Sequence, residues 1–242
     1  MRNYLKNLAI HYHGNQRKIK KALLTQQNVP EYKCDCSYLT IIDKHYPARL
    51  LELYDPPFVL FYQGNLALLR KTCSGVIGSR QANTYALNET RDLVNQLKQT
   101  DVIVSGLAYG IDVQAHQTAL DCDTIAILGN GLDCYYPYAH QNIQNEMMRK
   151  HLVISEFPQG VKPRPYHFPV RNRLIAALSD RIFIMAASEK SGTMHTANIS
   201  LELNKAIYVL PHRVDEMTGQ GCNRLILEGA MILTKSNGLY NI

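Results

Sequence analysis

The sequence has no long hydrophobic run: nowhere do 18 apolar residues follow one another. A helix that crosses a bilayer needs about 20 such residues, so we predict that no segment spans a membrane. The first 21 residues also lack an apolar core before a small-residue cleavage site. A secretory signal requires that core, so we expect a cytoplasmic protein.

Cysteine is scarce and scattered, with six residues in 242 and only Cys34 and Cys36 close together. A structural zinc site needs four ligands, and a single C-x-C pair supplies two of them. Disulfides are rare in the cytosol. We therefore expect reduced thiols and no metal site.

The basic excess of the chain is confined to one end. The formal net charge is +6, and residues 1–33 alone hold seven lysines and arginines against one acid, Glu31. Residues 34–242 are therefore neutral in total. Within them, residues 149–173 contain six basic residues and one acid, Glu156, and such a local excess indicates an anionic partner. A solvated surface is the alternative, which suits Arg149 and Lys150 at a predicted helix end.

From about residue 70 onward, short apolar runs alternate with helical stretches. The runs lack polar alternation, which is typical of parallel strands buried on both faces. After a first strand at 58–62, strands are predicted at 75–77, 102–104, 124–128, 152–154, 182–185, 207–210 and 231–233. Helices are predicted at 85–98, 112–120, 140–149, 172–178, 193–203 and 223–228. This order predicts an α/β fold with a doubly wound, mostly parallel sheet.

Residues 1–44 have a different character. They are polar, basic and weakly periodic, and they predict two or three short helices. We therefore divide the chain into a small basic helical segment, residues 1–44, and a main α/β domain, residues 45–242.

The loops that follow the strands are the places to look for a site. Right-handed crossovers bring these loops to the carboxyl edge of the sheet, where ligands bind at the point of strand-order reversal. The first loop is Gly78-Ser79-Arg80. Ser79 can donate a hydrogen bond, and Arg80 can bind a phosphate through two N–H groups. We predict that this loop binds an anion.

The second loop, residues 105–111, leads to Asp112 and His116. Asp112 opens a predicted helix, where an N-cap is its simplest role. His116, four residues on, is compatible with a general base, a metal ligand or a buried core histidine. A histidine and an aspartate without a third ligand do not make a metal site.

The third loop contains Gly129-Asn130-Gly131 and is similar to a dinucleotide-binding fingerprint. The third glycine of that fingerprint is absent, because Cys134 occupies its position. Pro137 also prevents a helix from starting on the glycines, as the fingerprint demands. We therefore predict that neither NAD nor FAD is a cofactor.

The fourth loop is long and rich in proline, and it ends in Phe168-Pro169-Val170-Arg171-Asn172-Arg173. With a helix predicted from Asn172, the arginines lie at a positive helix N-terminus, which favours an anion between them. Phe168 is placed to stack on a base. The alternative is that Phe168 belongs to the core and Arg171 pairs with Glu156 or Asp133.

One further turn, Ser191-Gly192-Thr193, opens the next predicted helix. Its hydroxyls and amides form a second N-terminus that suits an anion. Simple capping of the helix by Ser191 is the alternative.

These motifs occur together in a known order. The segments I-G-S-R, S-G-L-A-Y-G-I-D-x₂-A-H, T-I-A-I-L-G-N-G-L-D-x₂-Y-P, F-P-V-R-N-R-L-I-A-A-L-S, S-G-T-x₂-T-A and G-Q-G-C-N-R-L-I-L-E-G-A resemble the DNA-processing protein A (DprA/Smf) family. The resemblance runs from about residue 45 to the C-terminus. Tyr109, Met185 and His212 depart from the residues that are common in the family.

The resemblance implies an extended Rossmann-like fold that binds single-stranded DNA and loads the RecA recombinase during natural transformation. It implies no catalysis and no cofactor. The implied DNA-binding residues are Ser79, Arg80, Lys162, Arg164, Phe168, Arg171, Asn172, Arg173, Ser191, Gly192 and Thr193. The implied homodimer and recombinase contacts are Asn223, Ile226 and Ile232.

An enzyme on a related scaffold is the alternative function. Nucleotide phosphoribohydrolases look like G-G-x-G-T-x₂-E at the corresponding helix turn, and their glutamate serves the chemistry. Thr196 occupies the position of that acid here. Without a placed carboxylate, glycosidic hydrolysis lacks its general base or nucleophile.

Overall fold

The computed structural model describes residues 1–242. The strands are β1 (Ser37–Thr40), β2 (Val59–Gly64), β3 (Cys73–Gly78), β4 (Val102–Ser105), β5 (Thr124–Leu128), β6 (Leu152–Ser155), β7 (Arg181–Ala186), β8 (Ala206–Val209), β9 (Met231–Ile232), β10 (Lys235–Ser236) and β11 (Leu239–Tyr240). The α-helices are α1 (Arg2–His11), α2 (Gln16–Leu24), α3 (Thr84–Leu97), α4 (Ile111–Thr118), α5 (Gln141–Lys150), α6 (His167–Leu178), α7 (Gly192–Glu202) and α8 (Gln220–Leu227). None of these helices combines the length and the apolar composition that crossing a bilayer requires.

Nine strands form one sheet in the order β1-β2-β6-β5-β4-β3-β7-β8-β9. Strands β3 to β9 are parallel, whereas β2 is antiparallel to both of its neighbours, β6 and β1. The predicted doubly wound, mostly parallel α/β fold is confirmed. The chain builds outward from β3 to β6 and then returns to place β7 on the other side of β3. The strand order therefore reverses between β3 and β7, which is where such sheets bind ligands.

Helices cover both faces of the central strands. Val76 and Phe183 belong to the core cluster that includes residues of α3 and α4, whereas Ile77 and Ile184 belong to the cluster with α6 and α7. All four side chains are buried, and each contributes about 1.5–3 kcal/mol relative to an exposed position. Because both faces are covered, the strands carry no polar alternation, and this made them recognisable in the sequence.

The N-terminal segment forms the short helices α1 and α2, as predicted, and it also contributes strand β1 to the sheet. Its helices bury Leu8 and Ile19 in the same core cluster as Phe61 of β2. Residues 1–44 therefore share a sheet and a core with the remainder of the chain. Strand β1 was not predicted, since Ser37–Thr40 is short and joins the edge of the sheet.

Helix α6 begins at His167, five residues before the predicted start at Asn172. Pro169 lies in its first turn, where the missing N–H has no partner within the helix in any case, so the proline does not prevent helix formation. The prediction that Arg171 and Arg173 lie at the helix N-terminus is therefore wrong: both lie in the second turn. The short hairpin of β10 and β11 was also not predicted.

Candidate functional site

A cavity of about 570 Å³ opens at the carboxyl edge of the sheet, where the strand order reverses between β3 and β7. We call it the edge cavity. Loops that are far apart in the chain form its walls, because the parallel strands bring them to one edge. Its lining comprises Ile77, Gly78, Ser79, Arg80, Gln81, Ala108, Asp112, Tyr136, Pro165, Phe168, Pro169, Arg171, Asn172, Ile175, Ser191, Gly192, Thr193 and Thr196.

Arg80 supplies an exposed positive charge at this cavity, on the loop that follows β3. Its guanidinium carbon lies 5.1 Å from the centroid of the Phe168 ring, and no acidic side chain pairs with it. Next to it, the Ser79 hydroxyl accepts a hydrogen bond from the Gln81 amide. The loop thus presents an uncompensated cation that rests on an aromatic face.

Phe168 is half-buried in the cavity wall rather than in the core. Its ring lies against Gly129, where a β-carbon would come within 3.0 Å of it, so a larger residue there would push the ring aside by a few tenths of an ångström. The Tyr136 ring lies beside it with 5.4 Å between the centroids. Gly129, Tyr136 and Arg80 therefore all lie close to the phenylalanine ring.

Arg171 is buried in the floor of the cavity, and its guanidinium donates to the carbonyl oxygens of Gly106 and Ile127. A β-carbon at position 106 would lie 2.2 Å from this group, so a larger residue there would displace the guanidinium. Burial lowers the pKa of Arg171 to about 10, while the nearby Asp112 opposes that shift. The group thus stays cationic at neutral pH. The alternative interpretation, a pairing of Arg171 with Glu156 or Asp133, is not found.

Asp112 does not cap its helix, so that prediction is wrong. The N-cap position of α4 is Gly110, and Asp112 lies inside the first turn. Its carboxylate instead accepts hydrogen bonds from the amides of Gly106 and Ala108, at 3.2 and 3.4 Å. Burial raises the pKa of Asp112, and the charge of Arg171 opposes the rise. Asp112 therefore fixes the loop that holds Arg171.

Arg173 does not line the cavity. Its guanidinium pairs with the buried carboxylate of Glu156 at 2.5 Å and approaches Asp55 at 3.6 Å. Desolvation raises the pKa of Glu156 to about 7, against the effect of the arginine. This ion pair connects α6 to the loop that follows β6.

Lys162 and Arg164 are exposed on the proline-rich loop outside the cavity. Asp133 anchors this loop, because its carboxylate accepts hydrogen bonds from the Gly160 amide at 2.9 and 3.0 Å. Arg164 donates to the Tyr166 hydroxyl at 3.2 Å. The two cations therefore extend the positive surface away from the cavity along one side.

Ser191, Gly192 and Thr193 bring the N-terminus of α7 to the cavity. Ser191 is the N-cap residue, but its hydroxyl makes no capping bond and has no other partner although it is buried. The simple capping role is thus not observed. From α6, the Asn172 amide donates to the Gly192 carbonyl at 3.3 Å. The first amides of α7 are available to an anion.

His116 is a buried core histidine, which was one of its three interpretations. Its Nδ1 donates to the Thr124 hydroxyl at 2.8 Å, and its Nε2 has no partner. Burial lowers the pKa of His116 to about 3, so the ring is neutral. No three His, Cys, Asp or Glu side chains are grouped so that they could hold a metal ion. All six cysteines are free thiols.

Two tyrosines lie near the cavity: Tyr109, which the sequence marks only as a departure from the family, and Tyr136, which was not recognised as a site residue. Tyr136 lines the edge cavity, and Tyr109 lines a smaller pocket beside it together with Arg80 and Phe168. The Tyr109 ring meets His140 edge-on with 4.9 Å between the centroids. The Tyr-Pro pair at 136–137 was the available signal, but its meaning depends on contacts between separate loops.

The three residues of the implied dimer surface lie around the last part of the sheet. Asn223 forms two hydrogen bonds of 3.0 Å with the backbone of His212 and so holds that loop. Ile226 packs partly against the core, and Ile232 is 47% exposed on β9, the last strand of the sheet. Met185 is buried, and its carbonyl accepts a hydrogen bond from His212.

The fold and the edge cavity together define a class: a doubly wound α/β protein that offers a cation, an aromatic ring and a helix N-terminus at its switch point. A sequence model of the family described as DNA recombination-mediator protein A matches residues 37–241. The chain therefore belongs to this family, and the resemblance seen in its motifs is confirmed.

Curated relatives agree with this assignment. The chain is 39% identical over 197 residues to DNA processing protein DprA of Streptococcus pneumoniae, which covers 81% of this chain and 70% of that protein. It is 32% identical over 206 residues to DNA processing protein DprA of Bacillus subtilis, with 84% and 69% covered. The match to protein Smf of Synechocystis, at 38% identity, spans 84% of this chain but 52% of the relative.

Solved structures agree as well. The X-ray structure of DprA from Streptococcus pneumoniae superimposes with a TM-score of 0.85 at 29% identity and covers 99% of this chain and 96% of the other. DNA processing protein A from Helicobacter pylori, studied for its single-stranded DNA binding mode, has a TM-score of 0.76 at 34% identity. Here 83% of this chain and 93% of the other are covered.

Proposed function

We propose that this protein binds single-stranded DNA at the edge cavity. One observation carries the proposal: an unpaired arginine, Arg80, lies over a half-buried phenylalanine, Phe168, at the opening of a large cavity. A nucleotide offers the matching pair of groups, a phosphate for the cation and a flat base for the ring. The Helicobacter pylori relative, studied for its single-stranded DNA binding mode, supports the same ligand.

The phosphate binds between Arg80 and the N-terminus of α7 in this proposal. Ser191 contributes its unpartnered hydroxyl, and the amides of Gly192 and Thr193 contribute N–H groups. Arg171 supports the anion from the cavity floor as a fixed positive charge, while Asn172 holds the turn at Gly192. Ser79 lies on the same loop as Arg80 and completes the set of polar groups.

A base stacks on Phe168 in this proposal, with Tyr136 as the neighbouring ring. Stacking of this kind contributes about 1–3 kcal/mol for each base and tolerates every sequence, because each base has a π-face. Lys162 and Arg164 then meet phosphates outside the cavity. Arg173 acts indirectly, since its ion pair with Glu156 keeps the proline-rich loop in place.

The biological role follows from the family, which is described as a recombination mediator. We propose that the protein carries incoming single strands during natural transformation and loads a RecA recombinase onto them, without catalysis of its own. A homodimer and the recombinase would use the surface around Asn223, Ile226 and the exposed Ile232. Threonine occupies position 196, where a phosphoribohydrolase requires an acid, and its hydroxyl donates a hydrogen bond to the Gly192 carbonyl.

A binding measurement on the combined variant Arg80→Ala/Phe168→Ala tests the proposal. Fluorescence anisotropy with a labelled oligothymidine should show that the variant loses at least about fivefold in affinity, because the lost stacking alone accounts for that much. Circular dichroism should show an unchanged fold, since Arg80 is exposed and Phe168 lies outside the core clusters. Equal affinity of variant and wild type would place the DNA elsewhere.

A further inference from the structure

Helix α2 carries a strongly basic surface that the edge cavity does not use. Arg17, Lys18, Lys20 and Lys21 are all exposed on this nine-residue helix. None of them pairs with an acid, whereas eleven other lysines and arginines of the chain form ion pairs. This cationic face of α2 accounts for most of the net charge of the chain.

The helix itself does not compensate these charges. Ile19 and Ala22 turn inward to the core, which leaves the four cations together on the solvent side. Like charges three and four residues apart repel one another, and cations in a first turn oppose the helix dipole. The first turn of α2 contains no acid. An external polyanion would remove both penalties.

Helix α2 begins at the same edge of the sheet as the cavity. The turn before it places Gly14 against the Glu156 carbonyl and the Phe157 ring, where a β-carbon would come within 2.7 and 3.1 Å. The Phe157 ring stacks on His167 with 4.0 Å between the centroids, and His167 precedes Phe168 in α6. Two rings therefore connect the start of α2 to the stacking residue of the cavity.

The lateral distance is also short. Strand β2, which shares a core cluster with α2, lies four strand positions from β3, or about 19 Å at the usual strand spacing. The proline-rich loop covers part of this distance and presents Lys162 and Arg164, which are exposed and unpaired. Lys162 and Arg164 therefore lie on the loop that runs from Phe157, beside the start of α2, to Pro165 in the cavity wall, and neither has an acidic ion-pair partner.

We propose that the cationic face of α2 binds the phosphate backbone of the same single strand after it leaves the edge cavity. The inference rests on the proposed function, because that function places the strand in the cavity. The ligand class is the phosphodiester chain, without recognition of bases, since the helix presents lysines and an arginine but no exposed aromatic ring beside them. Contacts of this kind position a strand and strengthen binding uniformly across sequences.

The test compares oligothymidines of two lengths. The variant Lys18→Gln/Lys20→Gln/Lys21→Gln removes three charges from α2 without touching the cavity. Its control, Arg70→Gln/Arg91→Gln/Arg149→Gln, removes three exposed and unpaired charges elsewhere. Affinities are measured at several salt concentrations with an oligomer of about 5 nucleotides, which fills the cavity, and one of about 25, which reaches α2.

On the long oligomer, the α2 variant should bind more weakly, and its log–log salt slope should be less negative by up to about 2, because each lost phosphate contact removes about 0.7. On the short oligomer it should match wild type. The control should match wild type on both. An α2 variant that equals the control on the long oligomer would refute the inference while leaving the cavity intact. Wild type that binds neither oligomer would refute the proposed function itself.

Discussion

Arg171 and Arg173 lie two positions apart on α6, yet their guanidinium groups serve opposite sides of the helix. Two residues correspond to a rotation of about 200°, so Arg171 reaches the carbonyls of Gly106 and Ile127 in the cavity floor. Arg173 reaches the buried carboxylate of Glu156 on the other side. One short motif thus supplies both a positive charge in the cavity floor, Arg171, and a buried ion pair that stabilises the fold, Arg173 with Glu156.

Loss of the ion pair between Arg173 and Glu156 should lower the stability of the fold rather than the affinity for DNA. Arg173→Met leaves Glu156 buried without its partner, so the free energy of unfolding in urea should fall by about 3–5 kcal/mol. The double variant Arg173→Met/Glu156→Gln should recover part of that loss, because no lone charge remains. A single Arg173→Met variant with normal stability but weakened DNA binding would instead indicate direct contact with the strand.

Loss of the exposed cation should affect binding and its salt dependence. Arg80→Gln should weaken binding to an oligothymidine and make the log–log salt slope less negative by about 0.7, the value for one phosphate contact. The fold should be unaffected, because Arg80 has no ion pair to lose. Arg91→Gln on α3, also exposed, is the matched control and should bind like wild type. Identical slopes for the two variants would contradict the assignment of Arg80.

Loss of the aromatic face should cost affinity at every sequence. Phe168→Leu keeps an apolar side chain in the wall but removes the ring, so affinity should fall roughly 5- to 150-fold, which corresponds to about 1–3 kcal/mol. Phe168→Tyr keeps the ring and should bind close to wild type. Equal affinities for the leucine and tyrosine variants would show that Phe168 only packs.

An edge residue should control self-association. Ile232 is 47% exposed on the last strand of the sheet, where a charge would be buried on pairing with a second copy. Ile232→Glu should therefore lower the mass measured by light scattering from that of a dimer to that of a monomer. Val214→Glu, at a position that is 91% exposed, is the control and should leave the mass unchanged. A wild-type mass of one chain would exclude the dimer.

Acid should destabilise the fold through His116. The pKa of this buried histidine is about 3 in the folded state and about 6.5 in an unfolded chain. A lowered pKa means that its contribution is complete above pH 6.5 and is lost as the pH falls toward 3. The loss should reach about 2 kcal/mol between pH 6.5 and 4.5 in urea unfolding. His116→Gln should flatten this dependence, and an equally steep curve for the variant would assign it to other groups.

The parallel strands were predictable because both of their faces are buried, so each reads as a short apolar run such as Ile125–Leu128 within β5. Parallel strands with right-handed crossovers then predict that Ser79, Arg80 and the turn at Ser191 lie at one edge of the sheet. Strand β1 and the hairpin of β10 and β11 gave no such signal, because they are short or exposed.

The orientation of side chains on α6 was not predictable in the same way. Because prolines are uncommon within helices, the sequence predicts that α6 starts at Asn172 rather than at its true start, His167. The helix therefore begins five residues earlier than predicted, and both arginines lie in its second turn rather than at its N-terminus. The role of Tyr136 in the cavity wall was not predicted, because its position beside Phe168 depends on contact between two loops. Local sequence patterns predict helices and strands well. A site formed by several loops depends instead on distances between residues that are far apart in the chain, and local patterns give no information on these distances.

The most direct test of the account is a mobility shift with single-stranded and duplex DNA of one sequence, in competition at one salt concentration. A cavity that takes a phosphate beside Arg80 and an unpaired base on Phe168 requires bases free of a partner strand. We predict that the single strand is bound in preference and that excess duplex does not displace it. Equal binding of both forms, or preference for the duplex, would contradict the proposed function.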